Sequence, residues 1–358
     1  MPVNVPLRTL YGFDLHSPQA IGSRIDAVVE SAQRSGQLVG GQICVALNGQ
    51  LIYQRHVGVI ERGHGMPITA DSVFRLSCLS RLLVSVAALA LVQDQRLALD
   101  ADIRQWLPDF VPLLADGTPA TITVRQLLSH CAGFAKRLPA SAPASAYQDA
   151  SVADDAVLPG HLRQLSVTPL RYRPGSAWGY SMATDVLAAI LAQRCGALET
   201  ALQDHVITPL RLRSTGFSVA GQRRPGPVFA NGQPVYPIRD GMLGNASDYL
   251  LLLEALRQGG GVVLPKVLIG EMAAVQTGDV QLPGWPGRGF GLGFTVLRDP
   301  VAAASPESIG TWRLESACGH SWFVDPLKRL SVVAFTNTAG NIQDSAFAIS
   351  LRDAVYGV

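Results

Sequence analysis

Cys78 and Arg81 stand three residues apart in the stretch FRLSCLSRLL, residues 74–83. The run that follows reads as a buried helix, so both side chains fall on one face of its first turn. Arginine keeps its proton at working pH and cannot serve as base for a hydroxyl nucleophile. It can serve as a permanent cation beside a sulfur anion. A helix N-terminus and a neighbouring cation lower a thiol, ordinarily near pKa 8.5, by roughly one unit or more. The pair therefore predicts a sulfur nucleophile that needs no base for its attack. The competing reading is plain packing, because most buried cysteines are small core residues.

Those side chains need elements to hold them. Residues 17–35 read as a helix, with Ser17 as N-cap, Pro18 at the first position and Ile21, Ile25, Val28 and Val29 on one face. Two β-rich runs in QICVALNGQLIYQRHVGVI flank Asn48-Gly49, a strong hairpin signal. Residues 82–93 read as a buried helix, DADIRQWLPDF as a short capped segment, and TITVRQLLSHCAGF as a helix capped by Thr121 or Thr123. Residues 135–160, rich in Ala, Pro, Ser and Asp, read as a long loop or lid. A Pro174-Gly175 turn precedes a helix from about Ser181 to Arg194, ended by Gly196. Residues 221–240 are rich in Gly and Pro and read as irregular. In GNASDYLLLLEALRQGG, Asn245 caps a helix, Asp248 stands in the capping-box position and Gly259 stops it. From 287 onward the chain reads as strands, with an Asp325-Pro326 turn making the last ones a meander before a closing helix, QDSAFAISLRDAVYG.

Strands at both ends and helices between them predict an α+β fold, one antiparallel sheet flanked by helices plus a helical lobe. Residues 1–75 and 240–358 are expected to form the α/β lobe with its terminal helices, and 76–239 the mainly helical lobe with lid loops. The cleft between them is the expected site.

Composition narrows the function. Of 358 residues, 48% are hydrophobic, which supports a large core, and 29 basic against 27 acidic residues leave a net charge of +2. That balance speaks against a nucleic-acid or membrane-surface partner. MPVNVPLRTLYGFDLHSP lacks the pattern of a secretion signal, and the longest apolar run, 82–92, falls short of the roughly 20 residues that span a bilayer. A cytoplasmic location is the expectation. The five cysteines, Cys44, Cys78, Cys131, Cys195 and Cys318, are scattered and odd in number, which suits free thiols. Neither they nor the seven histidines show metal-ligand spacing, so no metal and no cofactor is expected.

The order of motifs resembles the serine β-lactamase and penicillin-binding-protein superfamily, in particular its class C β-lactamase, esterase and acyltransferase branch. SVFRLSCLSRLLVSVAALALVQDQRLALDADIRQWLP resembles the nucleophile helix and the following turn, ITVRQLLSHCAGF the Leu-Leu-Ser-His-Thr-Ser-Gly segment, and RYRPGSAWGYSMATDVLAAI the Pro-Gly and Tyr-Ser-Asn segment. GNASDYL and FVDP match in order. The resemblance implies a β-lactamase/transpeptidase-like fold. It lays the family's Ser-x-x-Lys on Cys78-Leu79-Ser80-Arg81, with Ser77 and Ser80 out of register. It lays Tyr-x-Asn on Tyr180-Ser181-Met182, keeping the tyrosine and losing the amide. Counting back from FVDP lays Lys-Thr-Gly, or Trp-Gly-Gly, on Leu314-Glu315-Ser316 and puts Ala317 at the second oxyanion-hole amide.

The implied machinery is Cys78 as nucleophile, Arg81 as its cation, Tyr180 as proton shuttle, and the amides of Cys78 and Ala317 as oxyanion hole. Tyr180 also has a bland reading, a buried tyrosine with a bonded hydroxyl. His320, Glu315 and Met182 are accessory candidates, with packing or a solvated edge the competing reading for the first two. Cys318 reads as a packed thiol before a resolving partner for Cys78. His130 and Cys131 are read as structural and left out of the site.

Attack by sulfur gives a thioester acyl-enzyme. Water needs a base to resolve it, whereas amines and thiols attack thioesters more readily. The expectation is therefore a cysteine-dependent acyltransferase or cyclising enzyme. Its partner would be a small acyl substrate, including a coenzyme A or carrier-protein thioester. The acyltransferase relatives imply specialised-metabolite biosynthesis. A cysteine-type ester or amide hydrolase and an inactive binding protein are the alternatives.

Overall fold

The computed structural model describes residues 17–60, 65–136, 160–218, 228–230, 233–235, 241–315, 319–337 and 346–358. Helix α1 (Pro18–Arg34) starts where local chemistry sets it: Ser17 Oγ accepts the Ala20 amide at 3.3 Å and Pro18 fills the first turn. Strands β1 (Gly40–Leu47) and β2 (Gln50–Gly58) meet at Asn48 and Gly49, whose φ values of 54° and 84° are both positive, as a two-residue hairpin turn of this twist requires. After β3 (Phe74–Arg75) a 3₁₀ turn, Ser77–Leu79, runs into α2 (Ser80–Gln93). That helix is buried almost all round, which explains its unbroken apolar run.

Helix α3 (Val124–Leu128) is capped by Thr123, not Thr121, in a full capping box with Gln126. Then come α4 (Gly160–Ser166) and α5 (Ala183–Cys195), which Gly196 ends at φ 83°. Next, α6 (Leu198–Leu202), a π-helical turn Gln203–Ile207 and α7 (Thr208–Leu210) follow. The segment read as irregular contains a small hairpin, β4 (Val228–Ala230) with β5 (Gln233–Val235). Most of the expected lid, 137–159, lies outside the described residues. Strand β6 (Leu243–Gly244) pairs with β3 and leads into α8 (Ala246–Arg257). Helix α9 (Lys266–Ala273) was not anticipated: Pro265 gives it no side-chain cap and Gly270 interrupts its pattern.

The last strands are β7 (Arg288–Phe290), β8 (Thr295–Leu297), β9 (Trp312–Glu315), β10 (Ser321–Asp325) and β11 (Leu330–Thr336), followed by α10 (Ala346–Tyr356). Among the described residues, seven strands form one antiparallel sheet in the order β2-β1-β11-β10-β9-β8-β7. The meander is as expected, and β1 closes on β11 from Gly41↔Thr336 to Leu47↔Leu330. Alternation along β11 separates two cores. Val332 and Ala334 face α1 and α10, where Ile21, Ile25, Leu351 and Val355 pack. Val333 and Phe335 face the larger core with Leu76, Leu79, Leu83 and Leu252.

Polar links cross between elements, among them those of Asp248 and Arg125. Asp248 does not complete a capping box. Asn245 Oδ1 accepts its amide at 2.8 Å, while its own carboxylate accepts from Ser214 N at 2.6 Å and Thr215 Oγ1 at 3.0 Å. Arg125 of α3 donates to Asp100 at 2.6 Å, to Gln276 at 2.9 Å and to Glu271 of α9. Among the described residues, no helix is long and apolar enough to cross a membrane.

Candidate active site

Cys78 sits on a sharp elbow between β3 and α2. The residue before it, Ser77, has φ 50°, a left-handed conformation that costs a non-glycine residue on the order of 1–2 kcal/mol. The surroundings hold the elbow in place. Leu76 N donates to Met242 O at 2.9 Å. Three carbonyls of the turn receive side-chain donors: Arg75 O from His320 Nε2 at 2.9 Å, Ser77 O from Ser80 Oγ at 2.7 Å, and Leu79 O from Tyr249 Oη at 3.1 Å. Gly244 lies so close to Leu76 that a Cβ there would stand 2.8 Å from its Cδ2.

The elbow sorts the candidate nucleophiles. Ser77 and Ser80 are 5% and 9% exposed, and the Ser80 hydroxyl is engaged by the Ser77 carbonyl. Cys78 is the partly exposed one of the three. Elsewhere burial pushes the Cys131 thiol up, and the Cys44 thiol to about 11. None of Cys44, Cys78, Cys131 and Cys195 is in a disulfide, in line with the scattered spacing.

Arg81 turns inward from the first turn of α2. Its Nη1 donates to Ser181 O at 2.7 Å, and its Cζ lies 4.7 Å from the centroid of the Tyr180 ring, a cation–π distance. The structure thus brings Arg81 and Tyr180 together at the start of α5. His130 joins them, although it was left out of the expected site. Its ring centroid is 4.5 Å from that of Tyr180, and its Nδ1 accepts the Ser181 amide at 3.3 Å. Burial first, and the Arg81 charge second, hold its pKa well below the ordinary value, so the imidazole is neutral. No spacing rule places a histidine 50 residues upstream against Tyr180; its left-handed φ of 57° within a loop was the kind of local detail that only coordinates give.

For His320, the packing reading rather than the accessory acid or base fits its surroundings. It is 1% exposed, Nδ1 accepts Thr336 N at 3.1 Å, and Nε2 donates to Arg75 O. Both ring nitrogens are therefore engaged by backbone, and the network assigns the proton to Nε2. Burial lowers its pKa to about 4, against a smaller opposing effect of the Arg75 carbonyl. Met182 is likewise core: it is 4% exposed, packs in the larger apolar cluster and caps α5 without any side-chain bond. Glu315 pairs by its backbone with Ser321 in the sheet. Ala317 and Cys318, the expected second oxyanion amide and its neighbour, lie outside the described residues. No group of three or more His, Cys, Asp or Glu side chains among the described residues could hold a metal ion.

A partly exposed thiol on a strained, well-anchored elbow followed by a helix is an arrangement suited to covalent attack on a carbonyl, and the Arg81–Tyr180 pair stands at the start of α5. The chain matches the Beta-lactamase family over residues 25–356. It belongs to that family. It is 36% identical over 379 residues to Esterase EstB of Burkholderia gladioli, a match covering 94% of this chain and 95% of the esterase. Its fold superposes with a TM-score of 0.80 on EstCE1, a hydrolase with promiscuous acyltransferase activity, at 33% identity and covering 95% of this chain and 99% of the other. Simvastatin synthase (LovD) from Aspergillus terreus shares the fold, with a TM-score of 0.74 at 20% identity over 94% of this chain and 98% of that one.

Proposed function

We propose that this chain is a cysteine-dependent acyltransferase that works through a thioester acyl-enzyme. The observation that carries the proposal is the exposure contrast at the elbow: Cys78 is presented, while Ser77 and Ser80 are buried and the cation three residues on is turned inward. The similarity to an esterase and to a hydrolase with acyltransferase activity supports acyl chemistry on this scaffold.

In the proposed reaction Cys78 Sγ attacks the carbonyl carbon of an ester or thioester. A C–S bond forms, the carbonyl oxygen carries the negative charge, and the amides of Cys78 and Ala317 stabilise it. The leaving alkoxide or thiolate departs with the electron pair of the broken bond and takes a proton through Tyr180. An amine, thiol or alcohol acceptor then attacks the thioester, gives up its proton by the same route and releases Cys78. A small ester, or a coenzyme A or carrier-protein thioester, would be the donor. Such a reaction belongs in the cytoplasm and in the assembly of specialised metabolites.

Intact mass after incubation with acetyl-coenzyme A is the test. An adduct of one acetyl group, absent in Cys78→Ala, is expected; an unmodified wild-type protein would sink the proposal and favour an inert binding protein. The hydrolase reading has its own support in the similarity to Esterase EstB. Added amine or thiol acceptors separate the two: a transferase consumes its adduct faster as acceptor is raised, and a hydrolase is indifferent to it.

A further inference from the structure

An open cleft with about 500 Å³ of space lies between α2 and α5. The two helices pack together and run in the same direction. At their starts Arg81 Nη1 donates to Ser181 O at 2.7 Å. At their far ends Arg96 Nη2 donates to Arg194 O and lies 3.7 Å from Cys195 Sγ. Residues at equal depth therefore stand across from each other, on axes about 8–10 Å apart. Ser80, Arg81 and Val84 line the cleft from α2, and Thr184, Asp185 and Ala188 from α5. Each helix thus offers a hydroxyl, then a charge, then an aliphatic group, at one spacing. The two charges are opposite in sign. Arg81 and Asp185 are both partly exposed, whereas Val84, three residues past Arg81, is 4% exposed. Leu198 and Phe217 add to the apolar lining.

We propose that this cleft binds a small α-amino acid with an aliphatic side chain. Its walls carry one cation and one anion, so a neutral molecule with two separated charges matches them and a simple anion or cation does not. The ligand carboxylate accepts from the Arg81 guanidinium, whose planar fork of N–H donors suits a carboxylate. The positive ends of both helices lie at the Arg81 end of the cleft and favour an anion there. The ligand ammonium donates to Asp185 across the gap. The side chain then lies along the next turn, on Val84, Ala188 and Leu198, where each methylene removed from water adds to affinity. A ligand lacking one charge covers Arg81 or Asp185 without replacing its water. Nothing in this binding requires Cys78, so it stands apart from the proposed acyl transfer.

Isothermal titration of the full chain with racemic valine is the test, against valinamide, which lacks the carboxylate, and N-acetylvaline, which lacks the ammonium. Valine is expected to bind about tenfold or more tightly than either, since each comparator loses a hydrogen bond between charged groups. Asp185→Asn is expected to weaken valine by about the same factor and to leave N-acetylvaline unchanged. Ala188→Leu, which fills the apolar turn, is expected to weaken valine and to spare glycine. Cys78→Ala is expected to bind valine as wild type does. No heat with valine, together with no rise in Tm, overturns the site. So does equal binding of valine, valinamide and N-acetylvaline, or valine binding unmoved in both folded variants. Should a variant misfold, the three-ligand comparison on wild type decides alone. Valine binding lost in Cys78→Ala overturns the placement between Arg81 and Asp185. A failure of acetyl-coenzyme A to label Cys78 bears on the nucleophile and leaves these results standing.

Discussion

His130 and His320 reach the candidate site from different parts of the fold, one from the loop after α3 and one from the start of β10. Both are almost fully buried, at 3% and 1% exposed, and burial keeps both imidazoles neutral. Their connections differ. His320 binds only backbone, bridging Arg75 O and Thr336 N, so it ties the Cys78 elbow to the central strand β11. His130 binds the Ser181 amide and lies against the Tyr180 ring, with the Arg81 charge near enough to lower its pKa further. One histidine anchors the Cys78 turn and the other anchors the loop of Tyr180. The lesson is that burial with both nitrogens engaged turns a residue type known for proton transfer into a fixed strut.

The comparison predicts a graded set of effects. His320→Phe removes the donor to Arg75 O and the acceptor of Thr336 N and is expected to destabilise the fold by about 2–4 kcal/mol, measured by urea unfolding. Alkylation of Cys78 by iodoacetamide should change in the same variant, while His320→Gln, which can replace both bonds, restores it. An unchanged alkylation rate in folded His320→Phe would break the assignment.

The pH dependence comes next. The His320 pKa falls from 6.5 unfolded to about 4 folded, so the unfolded chain takes up its proton first as pH drops. The stability is complete above about pH 6.5 and lost as pH falls towards 4, on the order of 3 kcal/mol in all. Unfolding curves at pH 7 and pH 4.5 should converge for His320→Phe relative to wild type. His130→Phe keeps an aromatic ring against Tyr180 and loses one acceptor, so about 1–2 kcal/mol is expected, with a larger fall in turnover than in thiol alkylation. Tyr249→Phe removes the bond to Leu79 O; about 1 kcal/mol in unfolding and a mild slowing of alkylation are expected.

What was legible in the residues was local. Ser17 with Pro18, Asn48-Gly49, Asn245 and Gly259 each act within a few residues, and each does what its chemistry predicts. The shared sheet of early and late strands followed from the order of β-rich and helical runs. Within the site, Cys78, Arg81 and Tyr180 were named from spacing and resemblance, and the coordinates bring the last two within cation–π range. Asp248 shows what was hidden: its type suits a capping box, but Ser214 and Thr215, more than 30 residues away, claim the carboxylate. The surroundings of His130 and His320 were hidden for the same reason, since only folding decides which buried polar groups lie within reach of a ring nitrogen.

The pairing of β1 with β11 carries a consequence for biogenesis. Leu47 meets Leu330 and Gly41 meets Thr336, so the early hairpin presents an unsatisfied edge throughout synthesis until the final strand leaves the ribosome. Contacts so distant along the chain slow folding and expose apolar edges meanwhile. Expression at reduced temperature, or with chaperones that shield nascent chains, should raise the yield of native protein more than any change at Cys78, Arg81 or Tyr180.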